Sequence, residues 1–321
     1  MACVRTILLL AILCLMPADD LRAQCFASPG NPIAGSTNLG ILLRGKARVI
    51  GFYQHGLSDE YFEGRSPSDY DPPGAIGSAH YHYTGFSLGY GLTQRLTLEA
   101  EAGYFLRKAQ EYKYLDYELR GQGLSNAVLS AKVNVYSDPV RLVELSLSAG
   151  PKLPFSTRPQ AAGGVELPVD VQPSTGNFGA VLQYYFIKEF DGVSIRLILT
   201  GRYENHFTEN RQGYRFGDAQ THSLYVSKHL ANRWTGLTKD LTLILQARYE
   251  YRGQNHRHGQ LVDFSGSQLL WLSPQLNYNL NLLWNFSVIL DLPVYRNYRG
   301  IQLAGTRALT FSVARDIGFR L

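Results

Sequence analysis

The chain has 321 residues and a net charge of +5, from 31 Lys and Arg against 26 Asp and Glu, and its basic residues are scattered rather than gathered. That distribution argues against a nucleic-acid surface, which needs a concentrated basic patch. Tyr (21), Phe (15) and Gly (31) are abundant while Cys (3) and Met (2) are scarce, and beyond the N-terminus no apolar stretch is long enough for a membrane helix.

In chain order, Arg5 precedes an apolar run from Ile7 to Met16, and the small residue Ala23 stands where a signal peptidase would cut. This predicts a signal peptide over 1–23, export across the inner membrane, and a short periplasmic segment over 24–37. Cys25 does not read as a lipidation site, because Arg22 occupies the position three residues before it, where an apolar residue is wanted. Cys3 and Cys14 leave with the signal peptide, so Cys25 has no intramolecular partner and a disulfide framework is excluded.

From residue 38 onward the governing pattern is period-two alternation. Leu241, Leu243, Leu245, Ala247, Tyr249 and Tyr251 are apolar or aromatic, and Thr242, Ile244, Gln246, Arg248, Glu250 and Arg252 intervene. One face of such a strand is greasy and the other largely polar, whereas a helix would mix the two. The same pattern runs through Leu96–Tyr104 and Val193–Leu199. It predicts strands near 38–54, 78–92, 95–111, 118–137, 140–153, 175–188, 192–207, 213–230, 239–253, 262–280, 284–295 and 304–321. Tight turns alternate with long Gly-, Pro- and Asp-rich loops at 55–77 and 154–174. The expected fold is therefore all-β: a transmembrane antiparallel β-barrel of about twelve strands over 38–321, in the cell outer membrane, with both termini periplasmic.

This topology gathers the lipid-face aromatics into two girdles. Tyr104, Tyr203, Tyr249 and Tyr251 fall near the outer interface, and Tyr90, Tyr184, Phe186, Tyr278, Trp284, Phe286 and Phe319 near the periplasmic one. The last strand, with Leu309, Phe311, Val313, Arg315, Ile317, Phe319 and Leu321 on one face, resembles the C-terminal signal read by the barrel assembly machinery, departing from it in the terminal Leu and the outward Arg315. Expected partners are outer-membrane lipid and lipopolysaccharide, that machinery, and a small-molecule solute; no cofactor motif is present.

If the apolar face meets lipid, the other face lines the lumen with Arg44, Lys46, Arg48, Glu99, Glu101, Lys132, Arg196, Arg202, Glu204, Arg248, Glu250, Arg252, Asp291 and Arg320. Twelve strands lie between the filled eight-stranded barrel and the open sixteen-stranded one. Two readings stay open: a narrow polar conduit whose charges set selectivity, or a salt-bridged interior that stiffens the wall. A hairpin centred near residues 115–116 would set Glu99 opposite Lys132. His80 with His82 and His256 with His258 are metal-ligand candidates that lack a third ligand fixed by spacing. A lipid hydrolase is the enzymatic alternative, but His222 and Ser223 are adjacent and so point to opposite faces, and His206 with Ser194 or Thr200 has no evident third member. Gly89-Tyr90-Gly91 and Gly121-Gln122-Gly123 read as places where the wall bends, not as phosphate loops.

Near the C-terminus, Ser273-Pro274-Gln275-Leu276-Asn277-Tyr278, Leu292-Pro293-Val294-Tyr295-Arg296 and Gly300-Ile301-Gln302-Leu303 resemble the closing segment of outer-membrane transporters associated with phenol meta-pathway degradation. That family is in turn similar to the fatty-acid and aromatic-hydrocarbon channels of the outer membrane. The resemblance implies passive uptake of small molecules, hydrophobic or aromatic ones among them, with a structural or secretion-accessory barrel as the alternative. The hydrocarbon channels carry a plug before the first strand; here only Gln24 to Asn38 stands in that place.

Overall fold

The computed structural model describes residues 40–71, 74–230, 240–280 and 283–318. The expected signal peptide, the 24–37 segment, Phe319, Arg320 and Leu321 lie outside them. The wall consists of β1 (Lys46–Gly64), β2 (Ile76–Gly91), β3 (Leu96–Tyr112), β4 (Glu118–Leu124), β5 (Asn126–Asp138), β6 (Val143–Pro154), β7 (Gly179–Phe190), β8 (Ile195–His206), β9 (Ala219–His229), β10 (Leu241–Arg252), β11 (Ser267–Asn279) and β12 (Trp284–Gly318). Each pairs antiparallel with its neighbours, and β12 returns to β1, so the sheet closes on itself. β4 and β5 are parted only at Ser125 and make one crossing between β3 and β6. β12 makes two: its first part pairs with β11 up to Tyr298, its last part pairs with β1 from Ile301, and Asp316 N donates to Leu283 O at 3.1 Å. The wall therefore has about twelve crossings.

Closure answers the bilayer's demand that every backbone polar group be satisfied within the protein. Alternation then sorts the side chains. On β10, Leu243, Leu245, Tyr249 and Tyr251 are exposed on the outside, and Thr242, Ile244, Gln246 and Arg248 are buried inside. Short turns at 92–95, 139–142 and 191–194 mark one end and longer loops at 155–178, 207–218 and 253–266 the other, the periplasmic and extracellular ends respectively. The girdle residues among those described keep to the outer surface, with one exception in height. Tyr184 pairs with Gly201, midway along β8, and its hydroxyl meets His222 Nδ1 at 3.1 Å instead of sitting at the periplasmic interface.

Three boundaries differ from the expected ones, each for a physical reason. The first strand was expected at 38–54 and runs from Lys46 to Gly64. Its outer part, His55 to Glu63, stands above the apolar band, where polar residues cost nothing, so hydropathy reads it as loop. The loop expected at 296–303 is strand around a tight turn at Arg299-Gly300, because a bulge opposite Leu270 and Trp271 shifts the phase of the alternation. Residues 213–218 are not part of the eighth crossing; Tyr214-Arg215 instead joins a small three-stranded ladder with His256-Arg257 and Gln260-Leu261 in the extracellular loops. Burial there pushes the Tyr214 hydroxyl up to about 12, so it stays protonated beside Asn255.

Two expectations follow. Leu199 lies on the lipid face of β8 and is 39% exposed, so Leu199→Arg should cost about 2–4 kcal/mol near mid-membrane while Leu199→Phe stays close to wild type. Denaturant titration of the barrel in lipid vesicles reads this, and equal stability of the two would place Leu199 inside. In a Cys25→Ser background on intact cells, a membrane-impermeant thiol reagent should label Val165→Cys, at the tip of the 161–166 hairpin, and spare Val140→Cys in a periplasmic turn. Reversed labelling would invert the barrel.

Candidate functional site

The lumen is the candidate site, and its charges are paired along strands, between neighbouring strands and, in places, over an intervening strand. Lys132 Nζ lies 2.6 Å from Glu99 Oε1, with the Lys132 side chain wholly out of contact with water. The pair is diagonal: Lys132 stands opposite Thr97 and Glu99 opposite Ser130, two residues from the expected register. The bulge between Phe105 and Lys108 and the break at Ser125 account for the slip. Arg202 reaches across from β8 to Glu101 on β3 at 3.0 Å and holds Glu204 at 2.6 Å, and Glu204 also pairs with Lys152. Arg248 meets Glu250 at 2.8 Å and Asp291 at 3.2 Å. Arg196 meets Glu189 at 3.1 Å, and Arg48 meets Asp316 at 2.5 Å.

Of the other lumen candidates, Lys46 opens β1 half-buried, Arg252 reaches Glu250 at 3.7 Å from an exposed position at the outer rim, and Arg44 is exposed in the turn before β1. Charges taken out of water persist only when paired and hydrogen-bonded, so pairing is what lets this interior exist.

Two apolar clusters inside the wall escaped the sequence reading. Tyr185, Ile187, Ile198, Tyr225 and Ile244 pack together in the periplasmic half. Phe62, Leu269, Trp271, Tyr298 and Ala304 pack in the extracellular half. Each sits on the nominally polar phase of its strand, as Ile198 does between Leu197 and Leu199. The available signal was a β-branched or aromatic residue recurring on the polar phase, which lipid contact does not explain. A cavity of about 270 Å³ opens at the outer rim above the second cluster, lined by residues including Arg252, Gln254, Tyr298 and Arg299.

Both ends of the lumen are crossed by chain folded inward. Before β1, Ile41 N donates to Glu144 Oε1 on β6 at 2.9 Å and Leu42 N to Thr97 Oγ1 on β3 at 3.0 Å, so the segment enters β1 through the periplasmic mouth. Residues 40–45, expected as the start of the first strand, are this segment. At the other end the 155–178 loop turns back into the mouth: Val171 is fully buried, and Lys108 Nζ donates to Gln172 O at 2.9 Å. The glycines expected to bend the wall make room for these segments. A Cβ on Gly91 would lie 2.1 Å from Leu43 O, and one on Gly121 2.1 Å from Val171 O.

The histidine and serine candidates separate. His80 and His82 are joined on the outer surface by His55, which stacks on His82 at 4.6 Å, while Tyr53 Oη lies 2.6 Å from His82 Nδ1. Among the described residues no group of three or more His, Cys, Asp or Glu is arranged to hold a metal ion. His222 faces outward while Ser223 is buried in the lumen. His206 ends β8 at the extracellular side, and Ser194 precedes its other end.

No family model matches the sequence, and no curated protein matches it. Among solved structures, the COG4313 outer membrane channel from Pseudomonas putida F1 matches with a TM-score of 0.66 and 14% identity, over 88% of this chain and 98% of that one. A Pseudomonas aeruginosa FadL homologue matches with a TM-score of 0.43 and 9% identity, over 86% and 91%. The Ralstonia pickettii toluene transporter TbuX matches with a TM-score of 0.40 and 9% identity, over 88% and 92%. With its apolar exterior and closed antiparallel wall, the chain is an outer-membrane β-barrel that shares its fold with the Pseudomonas putida channel.

Proposed function

We propose that the protein is a gated outer-membrane channel for passive uptake of small, mainly hydrophobic or aromatic molecules, of the kind associated with phenol meta-pathway degradation. The observation that carries this reading is the pair of apolar clusters inside the wall. A barrel that served only as a scaffold has no need of buried aromatic and aliphatic faces in both halves of a lumen that is otherwise ionic. The inward segments at the two mouths supply the gates. Lipopolysaccharide around the wall and delivery by the barrel assembly machinery belong to the same proposal.

The lumen charges give the first test. In planar bilayers Lys132→Glu should shift the reversal potential toward cation preference and lower the melting temperature, because it sets a second carboxylate beside Glu99. Loss of stability with unchanged selectivity would mark a stiffened wall rather than a conduit. The periplasmic gate gives the second. Thr97→Val with Glu144→Ala removes both side-chain acceptors of the Ile41–Leu42 segment. At about 1.4 kcal/mol of lost anchoring, the open fraction should rise roughly tenfold. Conductance traces indistinguishable from wild type would show that the segment is not a gate.

A further inference from the structure

Two buried N–H groups border the apolar cluster in the extracellular half without meeting an acceptor. Trp271, a member of that cluster, is only 9% exposed, and its Nε1–H has no hydrogen-bond partner among the described residues. Arg296 lies 4.6 Å over the ring of Phe62, another member; its Nη1 bonds Glu60 at 2.9 Å while its Nε–H stays unmatched. The wall holds the indole in place: Trp271 stands opposite Pro293 beside the bulge at Leu270, and its Cη2 packs so close to Gly305 that a Cβ there would come to 3.2 Å. A buried donor without an acceptor has lost its hydration and regained nothing, so each of these two calls for a partner. The rim cavity of about 270 Å³ shares Tyr298 with the cluster and gives an approach from outside.

The charges around the cluster decide what that partner can be. Arg296 already holds Glu60, and Arg248, 5.5 Å over the Trp271 ring, already holds Glu250 and Asp291. An anion that took either guanidinium would strand the displaced carboxylate beside a second negative charge, and a cation would have to break the same pairs. A neutral solute leaves every pair in place. The rings of Phe62, Trp271 and Tyr298 offer it aromatic faces, so a plain hydrocarbon is accommodated here, but it leaves both N–H groups unmatched. A carbonyl oxygen, with two lone pairs, can accept where the hydrocarbon cannot. We propose that this cluster is a binding site for neutral aromatic molecules that carry a hydrogen-bond acceptor, such as aryl ketones, aldehydes and esters, with the ring against these faces and the oxygen on Trp271 Nε1.

The site names a solute class for the proposed channel and so rests on that reading, and the measurements keep the two apart. The full mature chain, isotope-labelled at the indole nitrogens of Trp234, Trp271 and Trp284, is taken into detergent micelles for nuclear magnetic resonance. Acetophenone should move the Trp271 indole N–H resonance downfield; α-methylstyrene, which has the same shape with a methylene in place of the carbonyl oxygen, should not. In equilibrium dialysis against empty micelles, acetophenone should bind about fivefold more tightly than α-methylstyrene, the gain from one recovered hydrogen bond, and Trp271→Phe should bring that ratio to about one. Should this variant fail to fold, Trp234→Phe and Trp284→Phe assign the Trp271 resonance by elimination, and its shift in the otherwise native chain decides. An unmoved resonance, equal binding of the two ligands, or a preference that survives loss of the indole N–H overturns the site. Ion conductance of the unaltered chain in planar bilayers tests the channel by itself: absent, it removes the channel and the site as part of it; present with equal binding, it removes the site alone.

Discussion

The structure depends on the join between the last part of β12 and β1, where Gly318 to Ile301 runs antiparallel to Lys46 through Glu63. Without it both strands would present unpaired backbone groups to the bilayer, and no other arrangement of this chain could satisfy them there. Once the sheet is closed, its inner face is cut off from lipid and largely from water. The charged side chains that alternation sends inward must then find partners inside the lumen.

That requirement explains why the ion pairs link strands distant in sequence. Glu101 and Arg202 lie four crossings apart around the wall, and Arg248 reaches over β11 to Asp291. The pairs act as struts, while the apolar clusters between them are surfaces on which little is anchored. A lumen built this way is neither an open aqueous pore nor a uniform hydrophobic core, as its intermediate strand number suggests. Both of its mouths are crossed by chain folded inward.

The wall was legible in the sequence because lipid imposes a strict period of two, and Leu243, Leu245 and Tyr249 announce their face whatever their neighbours are. Legibility failed wherever that constraint lapses. Above the bilayer, His55 to Glu63 is strand without alternation. At the bulge by Trp271 the phase slips, and Ile41–Leu42 is apolar because it lies inside the mouth, not in the wall. The pairing of the inward charges was not readable, since a two-residue shift beyond Phe105 moved Lys132 from direct to diagonal contact with Glu99. Tyr185 and Trp271 were missed for a related reason: period two says which side a residue faces, not what it meets there.

The struts also govern how such a chain can change over time. Outside, Leu, Val and Phe are interchangeable as long as they are greasy, so single substitutions there drift freely. Inside, replacing Arg202 alone would strand Glu101 in the dark of the lumen and leave Glu204 with Lys152 alone, so a tolerated change has to arrive together with a second one on a strand a hundred residues away. The exterior therefore loses its ancestry quickly and the interior slowly but in linked steps, and a barrel of this kind keeps its shape long after its sequence has ceased to announce its kin.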